Sequence, residues 1–273
     1  MITSGSKIVA IRKLVRHYCL TICAGGDVAI LVTGGTKGIG LDIALAFAGP
    51  GEKVFVNYHA DSAAAAAAQA QIEGKGASCT LIRADAGTPE GCAEIAAVVG
   101  AKTDRLDQIV HCAVDAYASP TLSADPVRFT KAAVTNGFSL LFIVQACLPL
   151  LNRGSTVFFL TSRGGRIVVE NYAAIGVGKA ASESMVRYLA TELAPKGIRL
   201  NCIAPSIVET DAVRTLFGDK TAQLIDHAAH SNPSGRAVRA ADYTAMIRFL
   251  ASPEAEFITG QIVFINGGAN LSA

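Results

Sequence analysis

Three side chains between positions 162 and 179 could together deliver a proton: the hydroxyl of Ser162, the phenol of Tyr172 and the ammonium of Lys179. A phenol becomes a usable acid when a fixed positive charge stands near it, because that charge favours the phenolate left behind. Tyr172 precedes Lys179 by seven residues, in Glu170-Asn171-Tyr172-Ala173-Ala174-Ile175-Gly176-Val177-Gly178-Lys179, and the position one helical turn before the lysine is Ile175. Helical residues four apart are separated by about 6 Å along the axis, and residues seven apart by about 10.5 Å while still sharing a face. A tyrosine seven residues back therefore stands farther along a cleft. Ketone reduction needs a proton on the oxygen bonded to the carbon that takes hydride. Conjugate reduction of an enoyl thioester instead develops charge on an oxygen two bonds farther from the carbon that takes hydride, and the wider spacing suits this second reaction.

Such groups need elements to hold them. From Asp27 onward short β-branched, apolar runs alternate with helical patterns. The runs are Val28 to Thr33, Lys53 to Tyr58, Ser78 to Arg83, Leu106 to Cys112, Ser155 to Ser162, Ile198 to Ile203 and Gln261 to Ile265. Helices are predicted near 39–48, 61–73, 89–99, 126–151, 172–194 and 240–251. Strict βαβ alternation predicts a single-domain Rossmann fold: a doubly wound parallel sheet of about seven strands with helices on both faces. The alanine run 63–68 falls where a crossover helix is due, and alanine is the best helix former.

Thr33-Gly34-Gly35-Thr36-Lys37-Gly38-Ile39-Gly40 follows the first strand and opens the first helix. Glycines there let the backbone approach a pyrophosphate, and the helix N-terminus offers it free N–H donors. An enzyme of this kind that uses NADH ends its second strand with a carboxylate for the ribose 2′-hydroxyl. Here that strand ends Val56-Asn57-Tyr58-His59, with no acid. Lys37 and His59 could meet a 2′-phosphate, so NADPH is expected rather than NADH.

Composition bounds the alternatives. The chain has 273 residues, 51% of them hydrophobic, a net charge of +2 and seven cysteines. That charge argues against a nucleic-acid surface. The cysteines are scattered without Cys-x-x-Cys or zinc spacing, which predicts reduced thiols and no metal. No uninterrupted apolar run reaches the roughly 18 to 20 residues of a membrane span, and a soluble, cytoplasmic protein is expected. Residues 1–26 form a basic extension with no acid before Asp27. Three readings remain open for it: a loosely docked extension, an amphipathic helix for a membrane surface or partner, or a cleaved targeting segment. Residues 27–273 form the catalytic domain, with a substrate lid near 211–235.

Over residues 28–268 the chain resembles the short-chain dehydrogenase/reductase family. The resemblance rests on the glycine loop, Arg83-Ala84-Asp85-Ala86, Ser162, Lys179, the segment Asn201 to Thr210, Ile258-Thr259-Gly260-Gln261 and Asn266-Gly267-Gly268. It implies cofactor contacts at Gly34, Thr36, Lys37, Gly38, Ile39, Gly40, His59, Asp85, Ala86, Ala113, Lys179, Ile207 and Thr210, with Asp85 at the adenine. There are departures. The usual Asn-Asn-Ala-Gly is His111-Cys112-Ala113-Val114, and the relay asparagine falls at Val134, with Asn136 two positions late. Pro-Gly has become Pro205-Ser206, and the tyrosine expected at 175 is Ile175. His111 reads better as a satisfied structural histidine than as a catalytic one.

Tyr-x6-Lys is similar to the enoyl-acyl carrier protein reductases. The run Val186 to Leu193 and Asn232-Pro233-Ser234-Gly235-Arg236 look like their NADPH-dependent branch. This implies that Tyr172 stabilises or protonates the enolate oxygen, that Lys179 holds the nicotinamide ribose and supports the tyrosine, and that Ser162 assists. In many of these enzymes a second tyrosine occupies the position of Ser162. The lid residues Leu216, Phe217, Leu224 and Ile225 suit an acyl chain. Arg163, Arg166, Arg214, Arg236 and Arg239 could meet an acyl carrier protein. The resemblance also implies a homotetramer through helices 126–151 and 172–194. A carbonyl reductase of specialised metabolism, an enoyl-CoA reductase and a non-catalytic NADP-binding sensor remain open, and Tyr117 and Tyr188 are weaker acids.

Overall fold

The structure, a computed structural model, describes residues 28–269. The basic extension expected over residues 1–26 lies outside the described residues. In chain order the elements are β1 (Ala29–Thr33), α1 (Gly38–Phe47), β2 (Lys53–Tyr58), α2 (Ser62–Glu73), β3 (Ser78–Arg83), α3 (Pro89–Gly100) and β4 (Leu106–His111). There follow α4 (Pro126–Ala133), α5 (Ser139–Cys147), β5 (Leu151–Leu160), α6 (Ala173–Leu193), β6 (Arg199–Pro205), α7 (Asp211–Phe217), α8 (Thr221–His230), α9 (Ala240–Ala251) and β7 (Ile262–Ile265). The seven strands form one sheet in the order β3-β2-β1-β4-β5-β6-β7, and every pair is parallel. The doubly wound Rossmann architecture expected from the alternation is the one observed.

Each face of the sheet carries its own core. Cys92, Ile95 and Val99 of α3, Leu140 and Ile143 of α5 and Val186 of α6 pack with Leu31, Ile109 and Val157 on one side. Ile43 of α1, Ile72 of α2 and Tyr243, Ile247 and Leu250 of α9 pack with Ile30, Val54 and Phe158 on the other. Alternate residues of a strand point to opposite faces, so a strand buried on both reads as an unbroken apolar run. β1 is that case, buried at all five positions. Polar caps fix where helices start: the Asp61 carboxylate accepts from Ala64 N (3.0 Å), and the Thr210 hydroxyl from Val213 N (3.2 Å). Each satisfies an N–H that the first turn leaves free.

Three sequence expectations change. The long helix over 126–151 is broken by a π turn at Val134–Phe138. There Gly137 lies so close to α6 that a Cβ on it would stand 2.5 Å from the Gly178 carbonyl oxygen. β5 begins at Leu151 rather than Ser155, because residues 152–154 are an exposed lead-in and the pairing with β4 shifts register between Leu106 and Gln108. The lid segment holds two helices, α7 and α8. Among the described residues one helical stretch, Pro126–Leu150, is long and apolar enough to cross a membrane. Its apolar side chains Leu140, Ile143, Val144 and Cys147 are core.

Candidate active site

The sheet order reverses direction between β1 and β4, and the ends of these strands open the crevice where ligands sit in such folds. The glycine loop turns out of β1 there. A Cβ on Gly40 would stand 2.3 Å from the Gly34 carbonyl oxygen, so the loop can curl onto the start of α1 only with glycine at that position. The first turn of α1 leaves backbone N–H groups and the positive end of the helix dipole facing the crevice. Thr33 braces this corner: its Oγ1 accepts from Cys112 N (3.1 Å) and Ala113 N (3.3 Å).

Asp85 sits beyond β3, its Oδ1 accepting from Gly87 N (2.9 Å), and Ala86 beside it is buried. Asn57, at the strand position where NADH enzymes carry an acid, is buried and donates to the carbonyls of Ile82 (3.2 Å) and Ala84 (3.0 Å). Its amide is thereby committed to the sheet. His59 is exposed beyond β2. Lys37 is 3.0 Å from Asp61 and 3.1 Å from Asp211. The hydrogen bond it donates to Asp61, then that to Asp211, holds the ammonium's pKa above its ordinary value. Sequence reading missed Asp61 because it looked for an acid at the strand end. Asp61 lies three residues farther, where Asp-Ser-Ala-Ala announced a helix cap.

At the end of β5 the proton-handling groups converge. The Tyr172 hydroxyl lies 3.4 Å from Ser162 Oγ, and Lys179 donates to the Leu160 carbonyl oxygen at 2.7 Å. Tyr172 caps α6 rather than lying within it. The residue before it, Asn171, has φ +59°, the left-handed region that asparagine tolerates better than most side chains. The ring rests against Gly164, where a Cβ would stand 2.5 Å from Tyr172 Cε1. Burial raises the phenol's pKa, and the Ser162 contact partly opposes this. Lys179 is buried and its Nζ sits 4.5 Å from the Phe159 ring centre. Desolvation brings its pKa down to about 8, opposed by Cys112, Cys202 and Glu183. Ile175 is fully buried in this helix.

His111 is fully buried and stacked on Phe159. With two N–H groups donating to it, Thr33 Oγ1 gives its own hydrogen to His111 Nδ1 (2.8 Å). His111 Nε2–H then donates to Ser139 Oγ (2.7 Å), which donates to the Thr135 carbonyl (2.6 Å). Both ring nitrogens are satisfied in the neutral tautomer. Burial, and then the Lys179 charge, pushes the pKa of His111 down to about 3. The histidine is structural. Asn136 is equally committed, donating to the carbonyls of Asp115 and Ala132 at 2.8 Å each. Val134, in the relay position, is half-buried in the π turn.

Ala113, Ile207 and Thr210 line the same edge of the sheet: Ala113 beside Gly34, and Thr210 at the root of α7. The segment α7–α8 is tied down at its start, by Lys37 to Asp211, and at the turn between the two helices, by Lys220 to Glu170 at 3.7 Å. Leu216, Phe217, Leu224 and Ile225 are all half-buried. Of the five arginines considered for a carrier protein, Arg166, Arg214 and Arg236 are already paired with Glu183, Glu209 and Asp242. Among the described residues no group of three or more His, Cys, Asp or Glu side chains is placed to hold a metal ion, and Cys79, Cys92, Cys112, Cys147 and Cys202 are free thiols.

Comparison with known proteins agrees with this geometry. A family model described as Enoyl-(Acyl carrier protein) reductase matches residues 34–270. The chain is 28% identical over 243 residues to 1-cyclohexenylcarbonyl-CoA reductase of Streptomyces collinus, covering 89% of this chain and 87% of that protein. It is 30% identical over 260 residues to an NADPH-dependent aldehyde reductase-like protein, chloroplastic, of Arabidopsis thaliana, covering 89% and 94%. It also superposes on the crystal structure of enoyl-[acyl-carrier-protein] reductase (NADH) from Aquifex aeolicus VF5 with a TM-score of 0.81, at 26% identity over 90% of this chain and 97% of the other. With the glycine loop and the seven-stranded parallel sheet in place, the chain belongs to the short-chain dehydrogenase/reductase family of oxidoreductases.

Proposed function

We propose that the protein reduces the 2,3 double bond of an enoyl thioester with NADPH, as an enoyl-acyl carrier protein reductase of fatty-acid or related acyl synthesis in the cytoplasm. One observation carries the reading. The position one turn before Lys179 is a buried isoleucine, while the phenol seven residues back reaches Ser162. The description of the matching family model and the thioester substrate in the name of the Streptomyces relative support it.

The loop 34–40 and the first amides of α1 fit a pyrophosphate, because glycine at position 40, where a Cβ would stand 2.3 Å from the Gly34 carbonyl oxygen, lets the loop backbone close onto the helix N-terminus. Asp85, Ala86, Ala113, Ile207 and Thr210 would flank the nucleotide, and Lys37 and His59 would meet its 2′-phosphate. The nicotinamide, when bound, supplies the hydride to the β-carbon. Lys179 would hold the nicotinamide ribose, and as an ammonium it would lower the cost of negative charge on the thioester oxygen. Tyr172, kept neutral by burial, donates its hydrogen bond or proton to that oxygen. Ser162 orients the phenol. The apolar residues of α7 and α8 would cover the acyl chain and exclude water. Arg163 and Arg239, which have no ion pair among the described residues, are the arginines most available to an acyl carrier protein.

A second reading has its own observation. The 3.4 Å Tyr172–Ser162 contact would also serve a ketone oxygen, and the Arabidopsis relative is named for aldehyde reduction. The deciding experiment follows NADPH consumption with crotonyl and longer enoyl thioesters against the matching β-ketoacyl thioesters. Turnover of the enoyl series supports the proposal. Turnover of the ketones alone establishes the carbonyl reductase, and cofactor binding with neither reaction leaves a nucleotide sensor.

A further inference from the structure

Glu183 is a carboxylate in a place where the proposed chemistry gives it nothing to do. It lies one turn beyond Lys179 on α6, with its side chain only 6% exposed. Oε1 accepts from the Thr161 hydroxyl at 2.8 Å, and Oε2 accepts from Arg166 Nε at 2.9 Å. Arg166 is further held over the Phe264 ring of β7, 4.8 Å from its centre. A buried carboxylate is costly unless it is paired and hydrogen-bonded, and both of these oxygens are.

The two partners bracket one short segment. Thr161 precedes Ser162, and Arg166 follows the 3₁₀ turn Arg163–Gly165. Inside that bracket Gly164 N donates to Ser162 Oγ (3.0 Å), Gly165 N donates to the Ser162 carbonyl (3.0 Å), and the Tyr172 ring is seated on Gly164. Whatever fixes Thr161 and Arg166 therefore fixes both the serine hydroxyl and the surface on which the tyrosine ring lies. Thr161, Arg166 and Glu183 come from β5, the loop after it and α6, and only the carboxylate joins all three.

We propose that Glu183 is a positioning residue: by clasping Thr161 and Arg166 it holds the Ser162–Gly165 turn against α6 and so sets the approach of the Tyr172 hydroxyl to Ser162 Oγ. The inference rests on the reading of Tyr172 as the acid. The clasp acts on the transition state more than on cofactor binding, because the glycine loop lies across the sheet at β1. A misplacement of about 1 Å at a reacting group can cost about 100-fold in rate. Glu183 also faces Lys179, together with His111 and Cys112 from β4 and Cys202 from β6. Its negative charge favours the ammonium, and neutralising it moves the titration of Lys179 to lower pH.

The test uses the full chain with NADPH and a crotonyl thioester, comparing Glu183→Gln, Arg166→Ala and the double variant. Glu183→Gln keeps an acceptor for Thr161 but presents an N–H to Arg166. Arg166 is about half exposed, so Arg166→Ala can be made with little risk to folding. The expected result is a fall in kcat of about tenfold or more in each, with NADPH affinity within about twofold and a double variant no worse than the poorer single. The basic limb of the rate profile in Glu183→Gln should move to lower pH. Wild-type kcat with a lowered Tm in both singles would overturn the proposal. So would a parallel loss of NADPH affinity. Tyr172→Phe is assayed alongside. If that variant keeps its rate, the assignment of the acid fails; if it is inactive while both clasp variants turn over normally, the Glu183 inference alone fails.

Discussion

The hydroxyl of Tyr172 reaches to 3.4 Å from Ser162 Oγ from outside the helix whose lysine it serves. Tyr172 is the residue at which α6 begins, turned inward by Asn171 in the left-handed region. Its phenol is therefore delivered by the loop after β5 as much as by the helix. Tyr172→Phe should lower kcat by about 100- to 10,000-fold, the range for losing a positioned acid. NADPH affinity, read by quenching or enhancement of its fluorescence, should change by less than about twofold. A variant with unaltered kcat would remove Tyr172 from the mechanism.

Lys179 gives the reaction a pH limit. Its pKa is brought down to about 8 by burial, and in the proposed mechanism the ammonium is the working form. Activity should be full below that value and fall as pH rises through it, provided the substrate is stable. Steady-state rates from pH 6 to about 9.5 test this. A rate that stays flat past pH 9 would mean that bound nucleotide restores the ordinary lysine pKa or that the charge is not needed.

His111 ties stability to pH in the opposite direction. Its folded pKa lies near 3, against 6.5 for the free side chain, so below pH 6.5 the unfolded chain takes up a proton that the folded protein refuses. Stability from this group is complete above pH 6.5 and is lost as pH falls toward 3, by about 2 kcal/mol at pH 5. Urea unfolding at pH 7 and pH 5 should show a smaller pH effect in His111→Asn than in the wild type. Equal slopes would refute it.

Cofactor choice should respond to the Lys37–Asp61 pair. Asp61→Asn leaves the ammonium paired with Asp211 alone and removes a negative charge that a 2′-phosphate would otherwise face. The KM for NADPH should then fall several-fold relative to that for NADH, and Lys37→Gln should raise it about tenfold, as expected for losing one charge-assisted contact of about 1.4 kcal/mol. If neither variant shifts the ratio, the 2′-phosphate is met elsewhere.

Assembly can be tested on the outer face of α5 and α6. A groove of about 620 Å³ there is lined by Leu141, Leu148, Met185 and Leu189, and Tyr188 beside it is 72% exposed. The homotetramer that the family resemblance implies would use these two helices, and Tyr188→Glu should then reduce the molar mass measured by light scattering. An unchanged mass would place any subunit contact on another face.

Much of this was legible in the residues. Buried parallel strands announce themselves as largely apolar runs, so Ala29–Thr33 could be placed within a residue, and Arg199–Pro205 within two although it carries Arg199 and Asn201. The lead-in of β5 could not, because Asn152, Arg153 and Gly154 are exposed and carry no apolar pattern. The glycine loop, Ser162, Tyr172 and Lys179 could be named because their chemistry depends on local spacing. Asp61 and Glu183 act through partners 24 and 17 to 22 residues away. Contacts across the fold leave no local period, and the only hint of Glu183 was an acid four residues after Lys179 on the inward face of a helix.

The pairing of β1 with β4 sets the order in which the protein can become active. Leu31 lies beside Ile109, so the sheet's centre closes only after the intervening crossover units have been brought into register, a loop closure with a large entropic cost. The nucleotide loop hangs from β1, and Ser162 and Tyr172 follow β5, the strand on the other side of β4. Refolding should therefore recover secondary structure well before turnover, with activity returning in the slowest phase and all at once.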